Sequence, residues 1–200
     1  MATGVESQIH AALEALRKRD PAAADRVRLN DQQLNETFRQ IRERCFSVIA
    51  MQQPVARDLR TIMGILYISA ERERIGDYCV RIARMTGTLC GLPAAPLRAE
   101  FGVMGELAAH QVHDILDALI DQDEARAREV AAKDDEIDRL YHRVFDDLVG
   151  QMAGLKDADE ALRNVTLLLV AHNLERISDR VTNVAEDIVF LQTGAVVELG

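Results

Sequence analysis

Two hundred residues with a formal charge of −9, 48% apolar but only 4% aromatic and without tryptophan, are enough for one sizeable domain or two small ones. The acidic balance excludes a sequence-independent grip on nucleic-acid phosphates, which needs a dense cationic surface. The longest apolar stretch, around Val165 to Ala171, is far below the ~20 residues of a membrane span, and the start of the chain has no secretory apolar core, so the expected location is the cytoplasm.

Abundant Ala, Leu, Arg and Glu favour helices packed through aliphatic side chains. A first helix is predicted from about Val5 to Arg19, ended by Asp20-Pro21, with Pro21 opening the second at a favourable first-turn position. Helix two carries Val27, Leu34, Phe38, Ile41, Cys45 and Val48 in alternating steps of three and four, the stripe of a bundle seam. Gln53-Pro54 breaks it, and helix three runs from about Val55 to Leu89. Gly91, Pro93 and Pro96 mark a joint. Helices four (Leu97 to Ile120), five (Glu124 to Ala153) and six (Ala158 to Gln192) follow, with no competing strand signal. Cys45, Cys79 and Cys90 lack paired metal-site spacing and read as buried thiols.

The second half repeats the first. Glu73-Arg74-Ile75-Gly76-Asp77 returns as Glu175-Arg176-Ile177-Ser178-Asp179 at an offset of 102. His10, Leu13, Leu16, Asp20, Val27, Asp31, Phe38 and Ile41 align with His113, Leu116, Leu119, Asp123, Val130, Asp134, Tyr141 and Val144 at an offset of 103. The chain therefore reads as all-α, two copies of a three-helix bundle over 1–92 and 97–194 with a tail at 195–200. Met1 aligns with Met104, so the first copy lacks a counterpart of Leu97 to Val103, and a late-assigned start is expected.

Each copy places acids where packing asks for apolar residues. The helix-two seam includes Asp31 and the helix-five seam Asp134; Glu73 and Glu175 sit in the seams of helices three and six, each followed by a small residue, Gly76 or Ser178. Residues four apart stack on a helix, pairing Asp31 with Asn35, Glu73 with Asp77, Asp134 with Asp138 and Glu175 with Asp179. Like charges so placed repel, more strongly where water is excluded. Arginines nearby (Arg72, Arg74, Arg176, Arg180) can offset this, or a hard cation can, because carboxylate and amide oxygens suit Mg²⁺, Ca²⁺, Mn²⁺, iron or Zn²⁺. The second copy extends its ladders through His142, Asn183, Glu186 and Asp187; the first has Arg39 and Arg81 opposite His142 and Asn183, so its occupancy is expected to be lower. His110, His113 and His172 are weaker candidates, read first as solvated or packed helix-face residues.

Met51-Gln52-Gln53-Pro54-Val55-Ala56-Arg57-Asp58-Leu59-Arg60, the two pentapeptides, and Asn173-Leu174 with Asn183, Ala185, Glu186 and Asp187 together resemble the PhoU family of bacterial phosphate-uptake regulators, across essentially the whole chain. The resemblance implies multinuclear metal clusters, iron among them, held by the acid-x-x-x-acid pairs. Carried onto this chain, these are Asp134, Asp138, Glu175, Asp179, Glu73, Asp77, Asp31 and Asn35, with Asn183 and Asp187 beyond them. It also implies partners: the Pst transporter ATPase subunit (PstB) and the sensor kinase PhoR, with a homodimer as the expected assembly.

A non-enzymatic regulator is thus the leading expectation. A carboxylate-bridged metal enzyme of ferritin type is the rival, but such bundles need Glu-x-x-His on two helices and none occurs here. An inert helical adaptor is the third reading. No nucleophile with an adjacent base, phosphate-cradling glycine loop or nucleotide motif is present.

Overall fold

The computed structural model describes residues 2–200, and side chains from residue 4 onward. The expectation of a late start falls on Met1 and lies outside these residues. The chain forms α1 (Ala2–Lys18), α2 (Pro21–Gln52), α3 (Ala56–Cys90), α4 (Ala99–Asp121), α5 (Glu124–Ala131), α6 (Asp134–Met152) and α7 (Ala158–Thr193), with no strand among the described residues.

The helix ends follow the local chemistry. Asp20 caps α2, its Oδ1 accepting from the backbone N–H groups of Ala22 (2.9 Å) and Ala23 (3.1 Å), and Pro21 fills the first helical position, where its missing N–H costs nothing. Asp123 and Asp157 cap α5 and α7 in the same way. Replacing Asp20 with alanine is expected to cost about 1 kcal/mol, read as a lower urea midpoint with an unchanged slope.

Helix five differs from expectation. It is interrupted at Ala132 and Lys133, which stay right-handed while the hydrogen bonds tighten (Lys133 N to Val130 O and Glu136 N to Lys133 O). Asp134-Asp135-Glu136 supplies the reason: aspartate is unfavourable inside a helix, and all three acids are stabilised in a first turn, where the N-terminal dipole is positive. Asp31, the counterpart of Asp134, sits inside an unbroken α2.

Two antiparallel pairings join the repeats. Along α3 and α7, Gly64 meets Leu191, Glu71 meets Arg180 and Met85 meets Asn173, so the two longest helices run in opposite directions. Along α1 and α4, Leu13 lies on Gly105 and His10 faces Glu106. The resulting core is continuous through both repeats, from Val5 and Ile9 through Phe101 and Met104 to Ile177 and Ile188. Cys45 and Cys79 are buried; Cys90 is half-buried, its Sγ donating to Arg19 O. Toward the α2–α3 connection the predicted seam is less covered: Phe38, Ile41 and Val48 are only half-buried. The tail folds back on α7, Leu199 N donating to Glu186 Oε1 at 3.0 Å.

Candidate metal centre

The start of α6 and the middle of α7 bring Asp134, Asp138 and Asp179 together, with one carboxylate oxygen from each lying within 4.8 Å of the others. Among the described residues, this is the one group of three His, Cys, Asp or Glu side chains that converges so. Glu175 stands one turn before Asp179 on the same face of α7. Asp134 Oδ1, Asp138 Oδ1 and Glu175 Oε2 are buried without a hydrogen-bond partner. A buried orphan oxygen costs roughly 1–3 kcal/mol or more when charged, so three on one face call for a ligand.

The electrostatics agree. Burial, with the Asp179 charge adding to it, pushes Glu175 up to about 7. Burial likewise raises Asp134, opposed by the Ser178 hydroxyl and reinforced by Asp138 and Asp179, and raises Asp138 with help from Asp179. His172 lies beside the site, Nδ1 3.3 Å from Glu175 Oε2 without hydrogen-bond alignment; burial and the Arg176 charge hold its imidazole below the usual range. His142 is exposed beyond Asp138. Counterions sit mainly at the Asp179 end: Arg176 contacts Asp179, and Arg180 Nη2 lies 3.8 Å from it, while the Arg176 charge reaches Glu175 without offsetting its burial. The residues therefore fit a hard cation held by Asp134, Asp138, Asp179 and Glu175, which would add positive charge where Arg176 does not offset the burial of Glu175.

The first repeat solves the same problem differently. Asp31 is buried, its Oδ2 accepting from Asn35 Nδ2 (3.0 Å) and its Oδ1 from Gln8 Nε2 (3.4 Å). Glu73 is raised by burial, then by the charges of Asp77 and Asp31, which places the three acids near one another. They do not converge as the second-repeat group does.

Asn183 and Asp187 are turned away from both groups. Asn183 Nδ2 donates to Glu71 Oε2 at 3.2 Å, and Asp187, pushed up to about 7 by burial, faces the charges of Glu71 and Glu186. A step of four residues over-rotates a helix by about 40°, so a ladder begun at Glu175 has left its face two or three steps later. The same drift carries Arg81 off the first site: it lies over the Tyr78 ring (5.0 Å), and its charge reaches His172. Arg39 pairs along α2 with Glu36 and Glu43. His113 faces Glu6 and Asp117, while Lys133 and Arg126 take Asp114, an ion-pair network between α1, α4 and α5.

Sequence reasoning passed over Gln8, Gln111 and Glu71, all buried. Gln8 and Gln111 lie at the repeat offset of 103, a signal that was available. Glu71, held by Arg74, Arg180 and Asn183, had none, because two of these partners, Arg180 and Asn183, come from the other repeat.

The family model described as PhoU domain matches residues 1–86 and 101–188. A Clostridium acetobutylicum protein named phosphate-specific transport system accessory protein PhoU homolog is 36% identical over 200 residues, covering 100% of this chain and 90% of its own length. A Rhizobium meliloti protein of the same name is 35% identical over 196 residues, covering 95% of this chain and 80% of its own. The crystal structure of PhoU from Pseudomonas aeruginosa superposes with a TM-score of 0.90 at 34% identity, covering 98% of this chain and 93% of that one. That of the phosphate transport system regulatory protein PhoU from Streptococcus pneumoniae gives 0.89 at 27% identity, covering 99% and 92%. With two matches to the family model on a duplicated all-helical frame, the chain belongs to the PhoU family.

Proposed function

We propose that this protein is a cytoplasmic, metal-binding regulator that restrains phosphate uptake and phosphate-starvation signalling by docking on the Pst transporter ATPase subunit, PstB, and on the sensor kinase PhoR. The observation that carries the reading is the convergence of Asp134, Asp138 and Asp179 beside Glu175, with three buried oxygens left without partners, in a chain of this family. Its relatives are named accessory or regulatory proteins, which supports a role without turnover. No helix among the described residues is long and apolar enough to cross a membrane, so action at the transporter works through a docked surface.

Deleting the gene in its host is expected to release phosphate-starvation genes from repression in phosphate-rich medium, and a pull-down with the full chain should recover PstB or PhoR. Normal repression in the deletion strain, with no second copy to compensate, would return the carboxylate-bridged metal enzyme to first place. Elemental analysis of protein purified without chelator tests the metal directly, with iron, Mg²⁺, Ca²⁺, Mn²⁺ and Zn²⁺ as the candidates for an oxygen-rich set.

A further inference from the structure

The two repeats place the same frame around their seam aspartates yet leave them in opposite states. Gln8 and Gln111 occupy equivalent positions on α1 and α4, at 4% and 3% exposure. In the first repeat Gln8 turns its amide Nε2 toward Val27 O and Asp31 Oδ1, both at 3.4 Å, and Asn35 Nδ2 binds the other Asp31 oxygen. Both carboxylate oxygens are thus engaged by amide donors.

That arrangement depends on Gly76. A Cβ at position 76 would stand 2.6 Å from Asp31 Oδ1 and 3.1 Å from Leu34 Cδ1, inside the contact limit, so the carboxylate lies in space that any side chain would fill. The second repeat has a side chain there. Ser178 is fully buried, and its hydroxyl donates to Gln111 Oε1 at 2.6 Å, so Gln111 presents its acceptor end toward α7. Asp134 Oδ1 is left buried with no partner.

We propose that the seam residue after each glutamate, Gly76 or Ser178, together with the buried amide facing it, decides whether the seam aspartate is captured by the protein or left available to a cation; this rests on the metal-binding reading above. Ser178 fills the space that the Asp31 carboxylate takes in the first repeat and occupies Gln111, so no amide donor reaches Asp134 Oδ1. Gly76 admits the Asp31 carboxylate to α3, where Gln8 reaches it. An amide donor and a cation compete for the same carboxylate oxygen, so capture lowers affinity. Gln8, Gln111 and Ser178 are positioning residues, and none has to touch the metal.

The test uses full-length protein with Mn²⁺ alone as the probe, free ion being counted by electron paramagnetic resonance, and the Gln111 side-chain amide followed by NMR in chelated protein. S178G is expected to weaken the second-repeat site ~10-fold to ~100-fold, the range for outer residues that orient metal ligands. Adding Gln111→Met, which keeps the volume but removes the donor, should restore affinity to within a few-fold of wild type. G76S should displace Asp31 from Gln8 and strengthen first-repeat binding; it meets only the ends of flexible side chains, so the fold can accommodate it. In chelator, the Gln111 amide resonances of S178G should shift as the amide turns to Asp134. Wild-type affinity in S178G, or a double variant as weak as S178G, overturns the proposal. Wild type that binds neither Mn²⁺ nor iron sinks the metal reading instead, and Gln111 resonances unmoved in S178G then overturn the capture mechanism separately.

Discussion

Replacing Glu175 and Asp179 together with alanine is expected to strip most of the metal from protein purified without chelator, whereas Glu73→Ala with Asp77→Ala removes less. Asp179 is one of the three converging ligand candidates, and Glu175 carries one of the unpartnered buried oxygens, so the first pair removes half of a four-carboxylate set. The second pair acts on a group whose central aspartate is already bonded by Gln8 and Asn35 and whose acids do not converge. Metal content per chain, measured by elemental analysis after identical loading, decides the matter. Equal losses from the two double variants would remove the asymmetry, and no metal in the wild type under any loading condition would remove the site. Arg176 and Arg180 make the comparison informative, because both contact Asp179 and would be released by its loss. A protein whose acids serve only those arginines would lose stability in the first variant without ever having held metal.

The all-helical class, the three helices of residues 1–92 and the placement of acids in the seams were legible in the sequence because they rest on short-range spacing, whereas residues 97–194 form four helices where three are expected. Asp20-Pro21 marked a helix end with a mechanism, and the structure shows the cap. The small residues after the seam glutamates, Gly76 and Ser178, are legible as well; what the sequence does not show is that the space at Gly76 is taken by the Asp31 carboxylate. The break before Asp134 was missed because the apolar stripe of helix five continues through it, although three successive acids carried the signal. Asn183 and Asp187 stand on a ladder that rotates away by about 40° per step; Asn183 donates to Glu71 across the α3–α7 crossing, and Asp187 faces the Glu71 charge. That crossing joins residues more than a hundred positions apart, so no window of the sequence contains it.

In chelator, the metal-free protein is expected to melt at progressively lower temperature as pH rises from about 5 to about 8. Glu175 sets the sign. Its carboxyl moves from the usual 4.5 to about 7 in the folded chain, so between those values the native state binds more protons than the unfolded one. Its contribution is therefore fully present below 4.5 and is lost as pH rises through about 7, when a carboxylate must be ionised in a buried place beside Asp179. The gap corresponds to about 3 kcal/mol for a side chain 17% exposed, and Asp187, also raised to about 7, acts in the same direction. Glu175→Gln mimics the protonated form and should flatten part of the slope, leaving the Asp187 share. Asp179→Asn should behave oppositely and lower the melting temperature, since it takes a partner from Arg176 and from Arg180, the latter only 14% exposed. Saturating Mn²⁺ should reverse the trend in the wild type, because a cation favours the ionised carboxylates and binds more tightly as protons leave. A melting temperature that rises with pH in chelator, or a sharp destabilisation by Glu175→Gln, would show that Glu175 has a counterion and that the salt-bridge account of the second-repeat acids is the better one.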